Sequence, residues 1–309
     1  MLACNLRAEP ANPITPFGLY AQRAMSGFVS APWASLGASA TFASAPWTAL
    51  AASTFAAGWP WALCGGYIAV VFALRADGAG AGAGAQRSSS ARPCLRRALQ
   101  AWNLLLAVFS LAGACVTAPH LAATLRARNG VWTSLCAPAA PSFGDGVVGL
   151  WVALFIASKP LEMIDTAFLL AARRPVSLLH WFHHASVALF VWHSYATQSS
   201  LGLWFAAMNY VAHALMYSYY AATSLGYKAR WPAVVTLVQT AQMFLGIGLC
   251  AAVGAYRARG VPCAVTTENW LAALAMYVAY AALFTHYALE RYGGGARRGG
   301  GGARARKDV

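Results

Sequence analysis

The sequence predicts an all-α membrane protein with seven transmembrane helices. Of its 309 residues, 59% are hydrophobic and only 10% are charged, whereas a soluble domain carries about 25% charged residues. Several apolar runs reach the roughly 20 residues that a helix needs to cross the hydrocarbon core. The runs are continuously apolar and do not alternate between apolar and polar residues, which favours helices over a β-barrel.

Seven apolar runs define the predicted spans. They lie at 55–74, 99–118, 147–172, 178–197, 201–222, 232–254 and 268–289. The third run is longer than one crossing requires, and this length fits a tilted helix. Together the spans form one predicted membrane domain over 55–290, with a flexible linker of Gly, Ala and Ser at 75–98.

The net charge of +14 is unevenly distributed between the two sides of the predicted membrane domain. Fifteen Lys and Arg residues fall within 75–98, 173–177, 223–231 and 290–309, and six fall on the opposite side. Because positive loops remain in the cytoplasm, this bias predicts a lumenal N-terminus and a cytoplasmic C-terminus. The basic surplus is therefore mainly a topology signal, and we expect no nucleic-acid partner.

Two terminal segments lie outside the predicted membrane domain. Residues 1–54 are rich in Ala, Ser and Pro, and we expect them to be poorly ordered and without a chemical role. Residues 291–309 form a Gly- and Arg-rich tail that we expect to be disordered. Near its end, Arg306 and Lys307 resemble the basic retrieval signal of endoplasmic reticulum membrane proteins, which predicts that membrane as the location.

The third span carries a group of ionisable side chains. Lys159, Glu162 and Asp165 fall within a 120° arc of an ideal helix, and Thr166 follows them. Ionisable groups are costly in hydrocarbon, so each is a candidate functional residue. Two interpretations remain open: an ion-pair network that ties helices together, or a set of groups that orient a histidine and select its tautomer.

The fourth span begins with three histidines on one face. His180, His183 and His184 lie within about 100° of arc, at the spacing His-x-x-His-His. A single buried histidine is commonly a core residue, but three beside carboxylates indicate chemistry. The pattern is compatible with metal ligation and with nucleophilic or acid–base catalysis.

The fifth and sixth spans add further polar residues. Asn209, His213 and Tyr217 share one face of the fifth span, and Gln239 and Gln242 share one face of the sixth. Buried glutamines also bridge membrane helices without a catalytic role, so both interpretations of the glutamines remain open.

The depths of these residues agree across four spans. Counted from the flanking cytoplasmic cations at 1.5 Å per residue, Asp165, His183, His213 and Gln239 all lie roughly 10–15 Å from the cytoplasmic face. The sequence therefore predicts an enclosed polar pocket that opens to the cytoplasm and continues into apolar surroundings.

Three functions are compatible with such a pocket. Acyl transfer through an imidazole nucleophile would need a dry, enclosed site, which a narrow tunnel supplies. A metal-dependent desaturase or hydroxylase is the alternative; four histidines at the common depth are too few for two irons, but one metal with His and carboxylate ligands remains open. A transporter whose buried charges line a pathway is the third hypothesis.

Four motifs occur in a characteristic order along the chain. They are Lys159-x-x-Glu162-x-x-Asp165-Thr166, His180-x-x-His183-His184, Asn209-x-x-x-His213-x-x-Met216-Tyr217 and Thr236-x-x-Gln239-x-x-Gln242. With these motifs, residues 58–290 resemble the ELO family of fatty acid elongases, the 3-ketoacyl-CoA synthases of very-long-chain fatty acid synthesis. The first 54 residues and the linker differ from the usual pattern.

The resemblance implies a fold and a reaction. It implies that six of the seven helices enclose a narrow acyl tunnel closed on the lumenal side. It implies condensation of acyl-CoA with malonyl-CoA to 3-oxoacyl-CoA, CO2 and CoA, with no bound cofactor and no metal. Acyl chains of sixteen to eighteen carbons are the expected substrates. The reductases and dehydratase of the elongation cycle are the expected partners in the membrane, and a homodimer is allowed.

The resemblance also implies roles for individual residues. His183 would take the acyl group, His213 would assist the condensation, and Lys228 and Arg230 would bind the CoA phosphates. The expected orienting and supporting residues are His180, His184, Asp165, Asn209, Lys159, Glu162, Thr166, Tyr217, Gln239 and Gln242.

Two cysteines fall in loops on the predicted lumenal side. For Cys136 and Cys263, the residues alone leave both a disulfide and two free thiols open. The resemblance to the ELO family implies that they form a disulfide.

Overall fold

The computed structural model describes residues 42–80 and 91–293, and within these ranges the chain is helical without β-strands. The all-α prediction is confirmed. The helices are α1 (Ala45–Ala56), α2 (Trp59–Gly80), α3 (Ala91–Arg126), α4 (Gly130–Cys136), α5 (Gly146–Glu162), α6 (Ile164–Ala171), α7 (Leu178–Ala196), α8 (Gly202–Ser224), α9 (Pro232–Ala258) and α10 (Thr267–Tyr292), with a π turn at Ala140–Gly144.

The described part of the chain contains several helices that could cross a membrane. Four are long and apolar enough: α3, the α5–α6 pair, α9 and α10. A fifth is present if α1 and the part of α2 up to Leu74, which bend by 60°, form one span. Helices α7 and α8 are not among them, and these are the helices that carry the histidines. The protein is therefore a multi-pass membrane protein, while the number seven stays a prediction.

Two segments expected to lack order are partly helical. Residues 45–54 belong to α1, α2 continues to Gly80, and α3 begins at Ala91, so the expectation is wrong for these parts. Their alanine-rich composition suggested flexibility, but alanine has the highest helix propensity of all residues. Residues 1–41, 81–90 and 294–309 lie outside the described residues, so the predictions for them stay predictions.

The predicted third span is interrupted near its middle. Helix α5 ends at Glu162, Met163 is a turn residue, and α6 begins at Ile164. Pro160 lies in the last turn of α5 and has no N–H to donate to the helix, which weakens the hydrogen bonding here. The interruption is one residue long, and α5 and α6 together still form one candidate span, Gly146–Ala171.

Small residues allow two pairs of helices to approach closely. A side chain at Gly113 of α3 would collide with the ring of Tyr210 on α8, and one at Gly246 of α9 would collide with Tyr277 on α10. Close backbone approach at glycine is a common way of joining helices in membranes. Tyr210 also donates to the carbonyl of Trp151 on α5 over 2.9 Å, which joins a third helix to the α3–α8 pair.

One end of the bundle is held by a disulfide between Cys136 and Cys263, the pairing that the resemblance implies. The Ala264 N–H donates to the Cys136 carbonyl over 2.8 Å, and the Ser200 N–H donates to the Ala264 carbonyl over 2.8 Å. The Ser200 hydroxyl donates to the Leu135 carbonyl over 2.6 Å. These contacts join α4 to the α7–α8 and α9–α10 loops, and we call this region the disulfide end.

Candidate active site

The three histidines of α7 lie in its first two turns. The Ser177 side chain accepts a hydrogen bond from the His180 N–H over 3.1 Å and thereby caps the helix. The ring centroids of His180 and His184 are 4.4 Å apart, and those of His183 and His184 are 5.5 Å apart. We call His180, His183 and His184 the imidazole cluster.

A bridging hydroxyl holds one edge of the imidazole cluster. Thr166 Oγ1 lies 2.8 Å from His180 Nε2 and 2.8 Å from the Tyr67 hydroxyl. Thr166 is 2% exposed. The contact joins α2, α6 and α7, so the orientation of His180 depends on three helices.

Tyr280 of α10 holds the other edge. Its ring centroid lies 4.9 Å from that of His183. Its hydroxyl lies 2.7 Å from Ser186 Oγ and donates to the backbone carbonyl of His183 over 3.3 Å. These contacts fix the ring and backbone of His183 but leave its ring nitrogens without a hydrogen-bond partner among the described residues. The same holds for Nδ1 of the buried His184.

A second group, which we call the ion-pair network, comprises Lys159, Glu162, Asn209 and His213. Lys159 Nζ lies 2.7 Å from Glu162 Oε1 and donates to Asn209 Oδ1 over 2.8 Å. The Ser158 hydroxyl also donates to Glu162 Oε1 over 2.9 Å. Lys159 and Glu162 are only 2% and 3% exposed, so each charge has its counter-charge inside the protein, as burial requires.

The ion-pair network defines the tautomer of His213. Asn209 Oδ1 accepts from Lys159, so Asn209 Nδ2 is the atom 3.2 Å from His213 Nε2, and it must donate. His213 Nε2 is therefore unprotonated, and the ring proton lies on Nδ1. That nitrogen is 3.7 Å from Glu162 Oε2. Nε2 of His213 is thus hydrogen-bonded, whereas Nδ1 faces the Glu162 carboxylate beyond hydrogen-bond distance, and Glu162 Oε2 has no hydrogen-bond partner among the described residues.

Asp165 interacts with different partners from Lys159 and Glu162. Its two carboxylate oxygens accept hydrogen bonds from Trp102 Nε1 over 2.6 Å and from the Tyr217 hydroxyl over 2.7 Å. The partners of all three charged residues include a side chain of α8, namely Asn209, His213 and Tyr217, as the predicted shared face requires. Asp165 additionally contacts α3 through Trp102.

The remaining predicted residues lie further from the histidines. Gln239 donates to the Met216 sulfur over 3.2 Å, and Gln242 is buried. Lys228 and Arg230 are exposed in the α8–α9 loop. Gln239 thereby joins α9 to α8 through Met216. His183 lies close to Lys159, Glu162 and His213 of the ion-pair network.

Sequence reasoning missed four contacting side chains. Tyr67, Trp102, Ser158 and Tyr280 each contact a predicted site residue. Tyr67, Trp102 and Tyr280 bond to residues on other helices, which helical spacing cannot reveal, whereas Ser158 lies one turn before its partner Glu162 and could have been found from the spacing. The sequence also offered one signal for all these contacts: a buried hydroxyl or indole N–H needs a hydrogen-bond partner, so each of these side chains should have a polar neighbour.

An apolar cavity of about 40 Å³ lies between this site and the disulfide end. Phe155, Phe190 and Phe205 line it. Phe190 follows His183 by seven residues on α7, so the cavity begins about 10 Å beyond the imidazole cluster.

Within residues 42–80 and 91–293, no three His, Cys, Asp or Glu side chains converge in an arrangement that could hold a metal ion.

Fold and site together define a multi-pass helical membrane protein with a buried site of imidazoles and ion pairs. Residues 57–299 match the model of the ELO, or GNS1/SUR4, family. Fatty acid elongase 3 of Trypanosoma brucei brucei is 38% identical over 223 residues, which cover 64% of this chain and 74% of that protein. Very long chain fatty acid elongase 6 of Drosophila melanogaster is 35% identical over 255 residues, which cover 80% and 77%. The chain belongs to the ELO family of elongases.

Proposed function

We propose that the protein condenses a long-chain acyl-CoA with malonyl-CoA to give 3-oxoacyl-CoA, CO2 and CoA, and that His183 carries the acyl group. The family relationship supports fatty acid elongation as the process. The observation that carries the role of His183 is the difference between two histidines. No hydrogen bond to a ring nitrogen of His183 is present among the described residues, whereas Nε2 of His213 lies 3.2 Å from Asn209 Nδ2 and Nδ1 lies 3.7 Å from the Glu162 carboxylate.

The proposed first step is transfer of the acyl group to the imidazole. A ring nitrogen of His183 attacks the thioester carbonyl, the C–S bond breaks, and the CoA thiolate takes the proton that the imidazole loses. An acyl-imidazole hydrolyses readily in water, so the step requires a dry site. Burial of the neighbouring His184 and His213 supports this requirement.

The proposed second step forms the carbon–carbon bond. Malonyl-CoA loses CO2 and leaves an enolate, whose carbon attacks the acyl-imidazole carbonyl. The C–N bond then breaks, the departing imidazolide nitrogen takes up the one proton that the overall reaction consumes, and 3-oxoacyl-CoA is released with His183 restored. The Lys159 cation and the donor groups of Asn209 and His213 are fixed near this point, and fixed donors stabilise developing negative charge without reorganising.

The proposed position of the substrate follows from the apolar cavity towards one end of the bundle and the exposed cations at the other. The acyl chain would extend from His183 into the apolar cavity, and the CoA phosphates would meet the exposed Lys228 and Arg230 at the opposite end. We further propose that the protein lies in the endoplasmic reticulum membrane with the disulfide end in the oxidising lumen. The reductases and dehydratase of the elongation cycle would then act on the product.

The test uses two reactions of membranes that contain the full chain. Labelled malonyl-CoA with an acyl-CoA should yield labelled 3-oxoacyl-CoA. Labelled acyl-CoA alone should leave label on the protein, because the acyl-enzyme cannot proceed without malonyl-CoA. His183→Ala should abolish both signals.

His286→Ala is the matched control, since His286 is an exposed histidine of α10 that contacts the exposed Glu290. It should retain both signals. Condensation by His183→Ala at the wild-type rate would refute the covalent route, and absence of product from the wild-type chain with every acyl-CoA would refute the function itself.

A further inference from the structure

One wall of the apolar cavity comes from outside the histidine-bearing helices. Ser44 and Thr48, at the beginning of α1, line the cavity together with the three phenylalanines named above. Each is only 5% exposed. Helix α1 ends before residue 57, where the family match begins. This wall therefore belongs to a part of the chain that the family match does not cover.

Several hydrogen bonds hold α1 in place against the bundle. The backbone N–H and the hydroxyl of Ser44 both donate to Asp145 Oδ1, each over 2.7 Å. These two bonds hold the pKa of Asp145 below its ordinary value, so the acceptor stays charged. Further along, Trp192 Nε1 of α7 donates to the Ala51 carbonyl over 3.2 Å. Contacts at both ends of α1 make it a fixed wall.

The hydroxyl of Thr48 is already satisfied within the protein. It donates to the Ala45 carbonyl over 3.1 Å and accepts from Gln198 Nε2 over 3.4 Å. An unpaired hydroxyl at an apolar cavity would cost free energy. Because this one is paired, Thr48 can border an alkyl chain without that cost.

The wall lies at a suitable distance from the proposed nucleophile. Ser194, which also lines the cavity, follows His183 by eleven residues on α7, which corresponds to about 16 Å. This is comparable with the extended length of a long-chain fatty acyl group. The far end of a chain attached to His183 would therefore reach the α1 wall.

We propose that α1 closes the acyl-chain site and that Ser44 and Thr48 determine the longest chain that the enzyme accepts. This inference rests on the proposed condensing activity. It assigns a substrate-specificity role to residues that precede the family domain.

The experiment compares chain-length preference in full-length variants supplied with a series of acyl-CoAs and malonyl-CoA. Thr48→Phe adds volume at the wall and should lower kcat/KM for the longest substrates by about fourfold for each methylene that no longer fits. Medium-chain substrates should react within twofold of the wild-type rate. Thr48→Ala removes volume and should shift the preference towards longer chains.

Leu50→Phe is the matched control, because Leu50 lies on the same helix but is 54% exposed. It should leave the chain-length profile unchanged. If Thr48→Phe does not fold, Thr48→Ala still tests the proposal, since it adds no volume. An unchanged profile in the folded Thr48 variants would refute the inference alone. A wild-type chain that makes no 3-oxoacyl-CoA from any acyl-CoA would refute the proposed function together with it.

Discussion

The ion-pair network and the imidazole cluster are neighbours, but their polar atoms are satisfied to different degrees. In the network, Lys159, Asn209 and His213 form an uninterrupted chain of contacts that ends at Glu162. In the cluster, His180 bonds to Thr166, but Nδ1 of His184 and the ring nitrogens of His183 have no hydrogen-bond partner among the described residues. The network thus leaves Glu162 Oε2 without a hydrogen bond among the described residues, 3.7 Å from His213 Nδ1, whereas the cluster leaves imidazole nitrogens without one.

This difference corresponds to two separate roles of buried polar residues, stabilising the fold and reacting with a substrate. A network built on a buried ion pair holds helices in register and gives His213 a single tautomer, because a rearrangement would leave a buried charge unpaired. A nucleophile needs the opposite environment, because a nitrogen engaged by a donor cannot attack. The contrast predicts mainly stability effects in the network and mainly rate effects in the cluster.

Glu162→Gln should have the largest effect on stability. It removes the counter-charge of the buried Lys159, and breaking a buried ion pair costs about 3–5 kcal/mol. Thermal unfolding in detergent would measure the loss. The double variant Lys159→Met/Glu162→Gln removes both charges and should recover much of it. Equal melting temperatures of Glu162→Gln and wild type would contradict the assignment of a paired network.

Asp165→Asn should have the next largest effect on stability. The amide has one acceptor oxygen in place of two, so either Trp102 or Tyr217 loses its partner, at a cost of about 1–3 kcal/mol. The same unfolding measurement applies. Glu290→Gln is the control, because the Glu290 side chain is 68% exposed; it should change stability by less than about 0.5 kcal/mol. A loss no greater than that of the control would contradict this role.

Thr166→Val tests the edge of the imidazole cluster. It keeps the shape but removes the hydroxyl that contacts His180 and Tyr67. If His180 orients the reacting groups as proposed, the loss of about one hydrogen bond should lower kcat roughly tenfold while KM changes little. Thr166→Ser restores a hydroxyl and should restore the rate. A rise in KM at constant kcat would instead indicate a role in substrate binding.

Tyr280→Phe should have the smallest effect on stability and on kcat. It keeps the ring beside His183 and removes only the hydroxyl that contacts Ser186 and the His183 carbonyl. We expect a loss of about 0.5–1.5 kcal/mol and a decrease in kcat of less than tenfold. Tyr280→Leu also removes the ring and should decrease kcat further. Identical kinetics of the two variants would mean that the ring does not position His183.

The sequence predicted the site well where its signal was local. The three histidines of α7 lie within five residues, so helical periodicity alone brought them to one face. The same argument held for Lys159, Glu162 and Asp165, whose partners include side chains on α8 in each case. Helical periodicity missed Tyr280, which lies 97 residues from His183 in the sequence. Helical spacing carries no information about a partner on another helix.

Composition and motif spacing by themselves determined the membrane class, the family and the identity of the histidines. They did so because hydrophobic runs and residue order are properties of the chain before it folds. Only the tertiary structure decided which nitrogen of His213 carries the proton, which histidine retains free lone pairs, and which helix borders the apolar cavity. These outcomes depend on distances of a few ångströms between helices far apart in sequence, and such distances arise only when the helices pack.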